Sequence, residues 1–261
     1  MRSPCGTSRL IMGIGAIAPE LWLGSVGMNI AVVGLGVWAI ARRGGWSFWR
    51  DRILYGQTLS DERVQSMSSY IHRRSQLDLL PIQPSDIVFV GDSLTEGGEW
   101  SNWFPTVSIC NRGISADTTT GVLRRLDAIV DSTPRKLFLM IGINDLINQG
   151  KTPERVLMHY EQILKVAKER SPHTQIYIQS VLPIVDFPRV KALNQKVVAL
   201  NQGLQRLATQ FTCTYIDLHP MFLEGDSLSR DYTSDGVHLN GAGYALWVER
   251  IRDDVQASIS K

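Results

Sequence analysis

The chain has 261 residues, enough for one large domain or two small ones. Hydrophobic residues at 44% and charged residues at 20% exclude a disordered chain, and 22 glycines and 11 prolines without a triplet repeat exclude a fibrous one. A net charge of +2 gives no general affinity for polyanions, so nucleic acid is not an expected partner.

The charge is unevenly placed. Residues 1–56 hold six arginines against Glu20 and Asp51, a net +4, and the remainder carries a net −2. Trp22, Trp38, Trp46 and Trp49, four of the seven tryptophans, also lie in this first stretch. Residues 21–41 contain no charge, and as a helix they would span about 31 Å, close to the hydrocarbon thickness of a bilayer. Trp22 and Trp38 stand near the ends of that stretch, where indoles favour the interface, and Arg42 and Arg43 close it. The expected organisation is therefore a membrane segment at 1–41, a basic Trp-rich linker at 42–56 and a folded domain at 57–261. Four arginines follow the apolar stretch and two precede it, so the charge rule places the domain on the cytoplasmic side.

Three other readings compete for the N-terminus. A signal peptide cleaved after Ala39-Ile40-Ala41 would export the domain instead. Gly34-x-Gly36 could open a dinucleotide-binding turn, but no clear second strand follows to end in the ribose-binding acid. A buried core helix is the third.

From residue 58 the pattern is helical to residue 80, with Val64, Met67, Tyr70, Ile71 and Leu77 at helical spacing and Pro81 as the stop. Short apolar strands are then expected at 86–90, 106–110, 136–141, 175–182 and 212–218. Helices are expected at 121–130, 153–170, 190–210 and 242–255. Strands with little polar alternation are buried on both faces, and intervening helices imply parallel crossovers. The expectation is an α/β domain, a three-layer doubly wound sandwich around five parallel strands. Reactive groups in such folds gather at the carboxyl ends of the strands.

The first strand ends in Val90-Gly91-Asp92-Ser93, which puts a hydroxyl on a tight turn into a helix and aims backbone N–H groups at the same point. After the second come Gly113, a candidate for an unhindered N–H, and Ser115. After the third, Gly142-Ile143-Asn144-Asp145 offers a side-chain amide as an oxyanion donor. Near the C-terminus, Asp235 precedes His238 by three residues, close enough to hold Nδ1 and leave Nε2 as a base. Each group also has a plain structural reading: a helix cap for Ser93 and Asn144, a turn glycine for Gly113, a capped loop for Asp235 and His238. Together they supply every role in acyl transfer, in the order Ser, Asp, His found in α/β hydrolases.

The blocks GDSLTEGG, NRGISADTT, IGINDL and DGVHLNGAGYALW resemble, in order, those of the SGNH (GDSL) hydrolases, and the chain is most similar to the platelet-activating-factor acetylhydrolase-like branch. The resemblance covers about residues 84–256. It implies a flavodoxin-like sandwich, Ser93 as nucleophile and His238 as base oriented by Asp235. It also implies an oxyanion hole from the Ser93 N–H, the Gly113 N–H and the Asn144 side chain. Neither a metal nor an organic cofactor is implied. Ile143 departs from the family, where many members carry threonine.

Other chemistries find less footing. His72, His159, His173, His219 and His238 form no metal-binding spacing, and three scattered cysteines (Cys5, Cys110, Cys213) form no zinc site or disulfide framework. Gly150-Lys151-Thr152 looks like the end of a phosphate loop, but Asp145 stands where its first glycine belongs. Trp100 and Trp103 either wall a substrate pocket or pack a loop onto the sheet. The expected activity is hydrolysis of small acyl esters, short-chain or lysolipid, through an acyl-serine. A carbohydrate acetyl esterase, a thioesterase and a catalytically silent membrane-tethered binding module are the alternatives.

Overall fold

The structure, a computed structural model, describes residues 59–185 and 191–257. The apolar stretch at 21–41 and the linker at 42–56 lie outside the described residues. Among the described residues no helix is long and apolar enough to cross a membrane.

Two short helices lead in, α1 (Asp61–Gln65) and α2 (Ser68–Leu79). The sequence pattern predicts one helix here. It breaks at Ser66, whose hydroxyl donates to Arg63 O at 2.8 Å, and Met67 takes an extended conformation. The strands that follow are β1 (Ile87–Gly91), β2 (Ile109–Gly113), β3 (Lys136–Met140), β4 (Gln175–Gln179) and β5 (Thr214–Ile216). They form one parallel sheet in the order β2-β1-β3-β4-β5.

Between β1 and β2 lie α3 (Ser93–Glu96) and α4 (Trp100–Trp103). The later crossovers are α5 (Thr119–Arg125) with α6 (Asp127–Val130), α7 (Ile143–Ile147) with α8 (Pro153–Arg170), and α9 (Lys191–Gln210). Helix α10 (Gly241–Gln256) closes the chain, after a small hairpin of β6 (Leu223–Glu224) and β7 (Ser227–Leu228). Helix α8 starts where the sequence dictates: the Thr152 hydroxyl accepts the Arg155 N–H, Pro153 fills the first turn, and Lys168 and Arg170 fall in the last turn.

Alternation along the strands sorts the core into two layers. Val88, Val90, Leu137, Leu139, Ile176 and Ile178 pack against α5, α6, α8 and α9. Ile87, Phe89, Phe138, Met140 and Tyr177 face α10 and the α3–α4 segment. On this second face Phe89, Phe138 and Tyr177 are register partners on three adjacent strands, and their rings stack at 4.8 and 4.4 Å. Both faces are covered, which is why the strands read as unbroken apolar runs.

Strand β2 lies three residues later than the pattern predicts. It is an edge strand, and Asn111 and Arg112 belong to it because their side chains find polar partners. Arg112 donates to Leu77 O at 2.7 Å and Leu80 O at 2.6 Å, the carbonyl end of α2. On the outer side Arg73 of α2 donates from Nε to Gly113 O at 3.1 Å and from Nη2 to Asn111 O at 3.2 Å.

Candidate active site

The strand order brings three loops together. Gly91 is in register with Gly113 on one side and Met140 on the other, so the segments after β1, β2 and β3 leave the sheet abreast. Ser93 opens α3 directly after β1, with Asp92 as the cap: its Oδ1 accepts the Leu94 N–H at 3.0 Å. A fully apolar strand running straight into a capped helix leaves Ser93 at the first helical position, where its N–H has no described acceptor. Asp92 is itself buried, and that burial pushes its carboxyl up to about 7; the Leu94 hydrogen bond and the His238 charge oppose the shift, while Asp117 and Asp145 add to it.

His238 arrives from the loop before α10. Its Nε2 lies 3.0 Å from Ser93 Oγ, and its Nδ1 lies 2.6 Å from Asp235 Oδ2. The other carboxylate oxygen of Asp235 accepts the N–H groups of Val237 at 2.9 Å and His238 at 2.8 Å. Thr233 ties the loop, donating to His238 O at 2.6 Å and accepting the Gly236 N–H at 2.9 Å. Burial would raise the Asp235 carboxyl, but the hydrogen bonds from the His238 ring and the two amides outweigh it and hold it below the usual carboxylate range. A carboxylate at Nδ1 fixes the proton there and leaves Nε2 to accept from serine.

Asn144 sits in the first turn of α7. Its Nδ2 donates to Asp117 O at 3.0 Å, and its Oδ1 accepts from Asn148 Nδ2 at 2.9 Å. One hydrogen of Nδ2 has no described acceptor. Two residues before it, Gly142 caps the helix with φ of +129°, a conformation that residues with a side chain rarely adopt.

Gly113 does not stand where the sequence reading puts it. It is the last residue of β2, and its N–H donates to Asn111 Oδ1 at 2.9 Å, so it is not open to an oxyanion. Its lack of a side chain has a steric cause: a Cβ would come within 2.2 Å of Glu96 N, so the glycine lets the α3 backbone lie against the strand. The open amide on this loop belongs to Ala116, which has φ of +65° and an N–H with no described acceptor. A non-glycine residue in this conformation leaves no sequence signal.

The expectation for Trp100 is also corrected. Trp100 is 1% exposed, stacks on Phe89 at 4.5 Å, meets Trp247 edge-on at 4.9 Å and donates from Nε1 to Thr95 O at 2.8 Å. It continues the aromatic stack of the core and walls no pocket. Trp103 is partly exposed at the end of α4. Two surface cavities are lined by residues of α1, α2, α5, α6, β2 and neighbouring loops, and Ser93 lines neither. Among the described residues, no cluster of three or more His, Cys, Asp or Glu is placed to hold a metal ion.

A hydroxyl backed by an imidazole and a carboxylate, at the carboxyl edge of a doubly wound parallel sheet, defines a serine hydrolase. Residues 89–246 match the GDSL-like lipase/acylhydrolase family. The rat platelet-activating factor acetylhydrolase IB subunit alpha2 is 31% identical over 182 residues, 67% of this chain and 77% of that one. The bovine alpha1 subunit is 28% identical over 182 residues, covering 67% and 76%. A GDSL-like lipase from Bacteroides thetaiotaomicron superposes with a TM-score of 0.63 at 24% identity, covering 72% and 97%. An acetyl-xylooligosaccharide esterase from Geobacillus superposes at 0.53 with 17% identity, covering 69% and 98%. The last two share the fold. The chain belongs to the GDSL-like lipase/acylhydrolase family and is an ester hydrolase.

Proposed function

We propose that the protein is a serine esterase that hydrolyses short-acyl esters through an acyl-serine. The carrying observation is the unbroken line Ser93–His238–Asp235, at 3.0 and 2.6 Å. In the first step Ser93 Oγ attacks the ester carbonyl while His238 Nε2 takes its proton. The tetrahedral oxyanion is met by the Ser93 N–H, the open hydrogen of Asn144 Nδ2 and the Ala116 N–H, which replaces Gly113 in this role. His238 then returns the proton to the departing alkoxide. Water, deprotonated by the same nitrogen, releases the carboxylate and restores Ser93.

Relatives named as acetylhydrolases, and a fold neighbour that is an acetyl esterase, favour a small acyl group. The uncharged stretch at 21–41 favours a lipid-derived alcohol presented at a membrane surface, with the domain on the cytoplasmic side by the arginine count. No cofactor enters this chemistry. The test uses the full chain in detergent micelles, wild type beside Ser93→Ala, with p-nitrophenyl esters from acetate to palmitate, a lysophospholipid, an acetylated sugar and an acyl thioester. Turnover and fluorophosphonate labelling that vanish in Ser93→Ala, with acetate ahead of long chains, are expected. A folded wild type that neither reacts with the probe nor turns over any of these leaves a silent binding module as the better reading. Protease protection of the domain in intact cells tests its side of the membrane.

A further inference from the structure

Asp145 follows Asn144 directly and is fully buried. Its Oδ2 accepts the Thr119 N–H at 2.9 Å, and its Oδ1 accepts the Thr119 hydroxyl at 2.7 Å and the Lys151 ammonium at 2.8 Å. Lys151 also closes the turn through its backbone, donating its N–H to Asp145 O at 3.0 Å. Its ammonium donates to Thr120 Oγ1 at 3.1 Å and lies 3.8 Å from Asp61 Oδ2. Asp61 Oδ1 accepts from the Thr118 hydroxyl at 2.6 Å and from Gln149 Nε2 at 2.7 Å. His159 borders the same group, with Nδ1 3.1 Å from Thr119 Oγ1.

Three successive threonines, 118 to 120, are thus held by Lys151 or by the two acids it faces. They begin two residues after Ala116, and Asp117 O between them is the acceptor for Asn144 Nδ2. Gly150-Lys151-Thr152 finds its explanation here: Gly150 has φ of +62°, Thr152 caps α8, and Lys151 points at a buried carboxylate instead of a phosphate. A buried carboxylate without its cation is strongly unfavourable, so the partner is needed for Asp145 to keep its place.

We propose that Lys151 is a positioning residue for ester hydrolysis: through Asp145 and Thr120 it locks the Asn144 turn to the loop carrying Ala116, so that the oxyanion donors of two loops converge on one oxygen. This rests on the serine esterase reading above. Lys151 touches neither substrate nor nucleophile in this account; it acts through Asn144.

The test is a double-mutant cycle on the full chain with p-nitrophenyl acetate, using wild type, Lys151→Met, Asn144→Ala and the double variant, with Ser93→Ala as the blank. Lys151→Met is expected to lower kcat about 10- to 100-fold with KM within about threefold, the pattern of lost transition-state stabilisation. In the Asn144→Ala background the same change should cost less than about threefold, because its effect runs through the missing amide. Lys151→Arg, which keeps the charge, should retain most of kcat. Equal losses in both backgrounds, or a kcat for Lys151→Met within about threefold of wild type, would overturn the proposal. If Lys151→Met does not fold, Lys151→Gln enters the same cycle. Turnover surviving in Ser93→Ala would sink the esterase reading itself, a result distinct from a failure of Lys151 alone.

Discussion

Asp92 lies directly before the nucleophile, and its environment sets a measurable pH dependence. In the unfolded chain an aspartate titrates near about 3.9. In the folded protein its carboxyl, cut off from water, is pushed up to about 7. A carboxyl whose folded pKa is raised contributes stability below its unfolded pKa and loses it as pH rises through the folded value. With these two pKa values the linkage relation gives a loss of about 2.5 kcal/mol between pH 5 and pH 8. Asp92→Asn keeps an oxygen for the Leu94 N–H and removes the ionisation. Urea unfolding of wild type and variant at both pH values isolates the group, since every other titration is common to the pair. The variant should gain on wild type by about 2.5 kcal/mol on going from pH 5 to pH 8. A gap that changes by less than about 0.5 kcal/mol would refute the reasoning and mean that Asp92 is ionised in the fold at pH 5.

Other outcomes follow from the same geometry. Ester hydrolysis should rise with pH as His238 loses its proton, and Asp235, held below the usual carboxylate range, stays charged throughout; a flat rate from pH 5 to 9 would remove His238 as the base. Asn144→Ala should lower kcat by about 10²- to 10³-fold, and a loss under threefold in a folded variant would take it out of the oxyanion hole. Trp100→Ala should cost about 3–5 kcal/mol of stability without changing the order of preference among acyl chains; a changed order would return Trp100 to the substrate site. Arg125 pairs with Asp117 at 2.8 Å and donates to Arg112 O and Gly91 O, all in the interior. Arg125→Met should therefore destabilise by about 3–5 kcal/mol, read by urea unfolding, because it strands the Asp117 carboxylate.

The sequence carried the fold well where its signals were local. Helix α8 has the expected bounds, since Thr152, Pro153 and the basic last turn mark both ends. Strands β1 and β3 lie within a residue or so of their apolar runs, because both of their faces are buried. Strand β2 is harder to read because three of its five residues are Asn-Arg-Gly, and polar residues on an edge strand look like loop until the partners of Arg112 are known. That shift explains the Gly113 error as well. A glycine beside a nucleophile invites a donor role, whereas its actual constraint is the close approach of α3, set by packing between segments distant in sequence. The line from Ser93 to His238 and Asp235 was legible because hydrolytic chemistry demands those residue types. The Ala116 amide was not, because a backbone N–H has no letter of its own.

The grip of Arg73 on Asn111 O and Gly113 O bears on solubility. These carbonyls lie on the outer rim of the sheet, where a bare strand invites another chain to add to it. Helix α2 covers that rim from a part of the chain that precedes residue 89, where the match to the family begins. A fragment begun at Ile87, the first residue of β1, would keep Ser93, Asp235 and His238 while baring that edge, and strand-to-strand aggregation would be its characteristic fault. The stretch that must be kept whole for a monodisperse protein is therefore longer than residues 89–246, the stretch that matches the family.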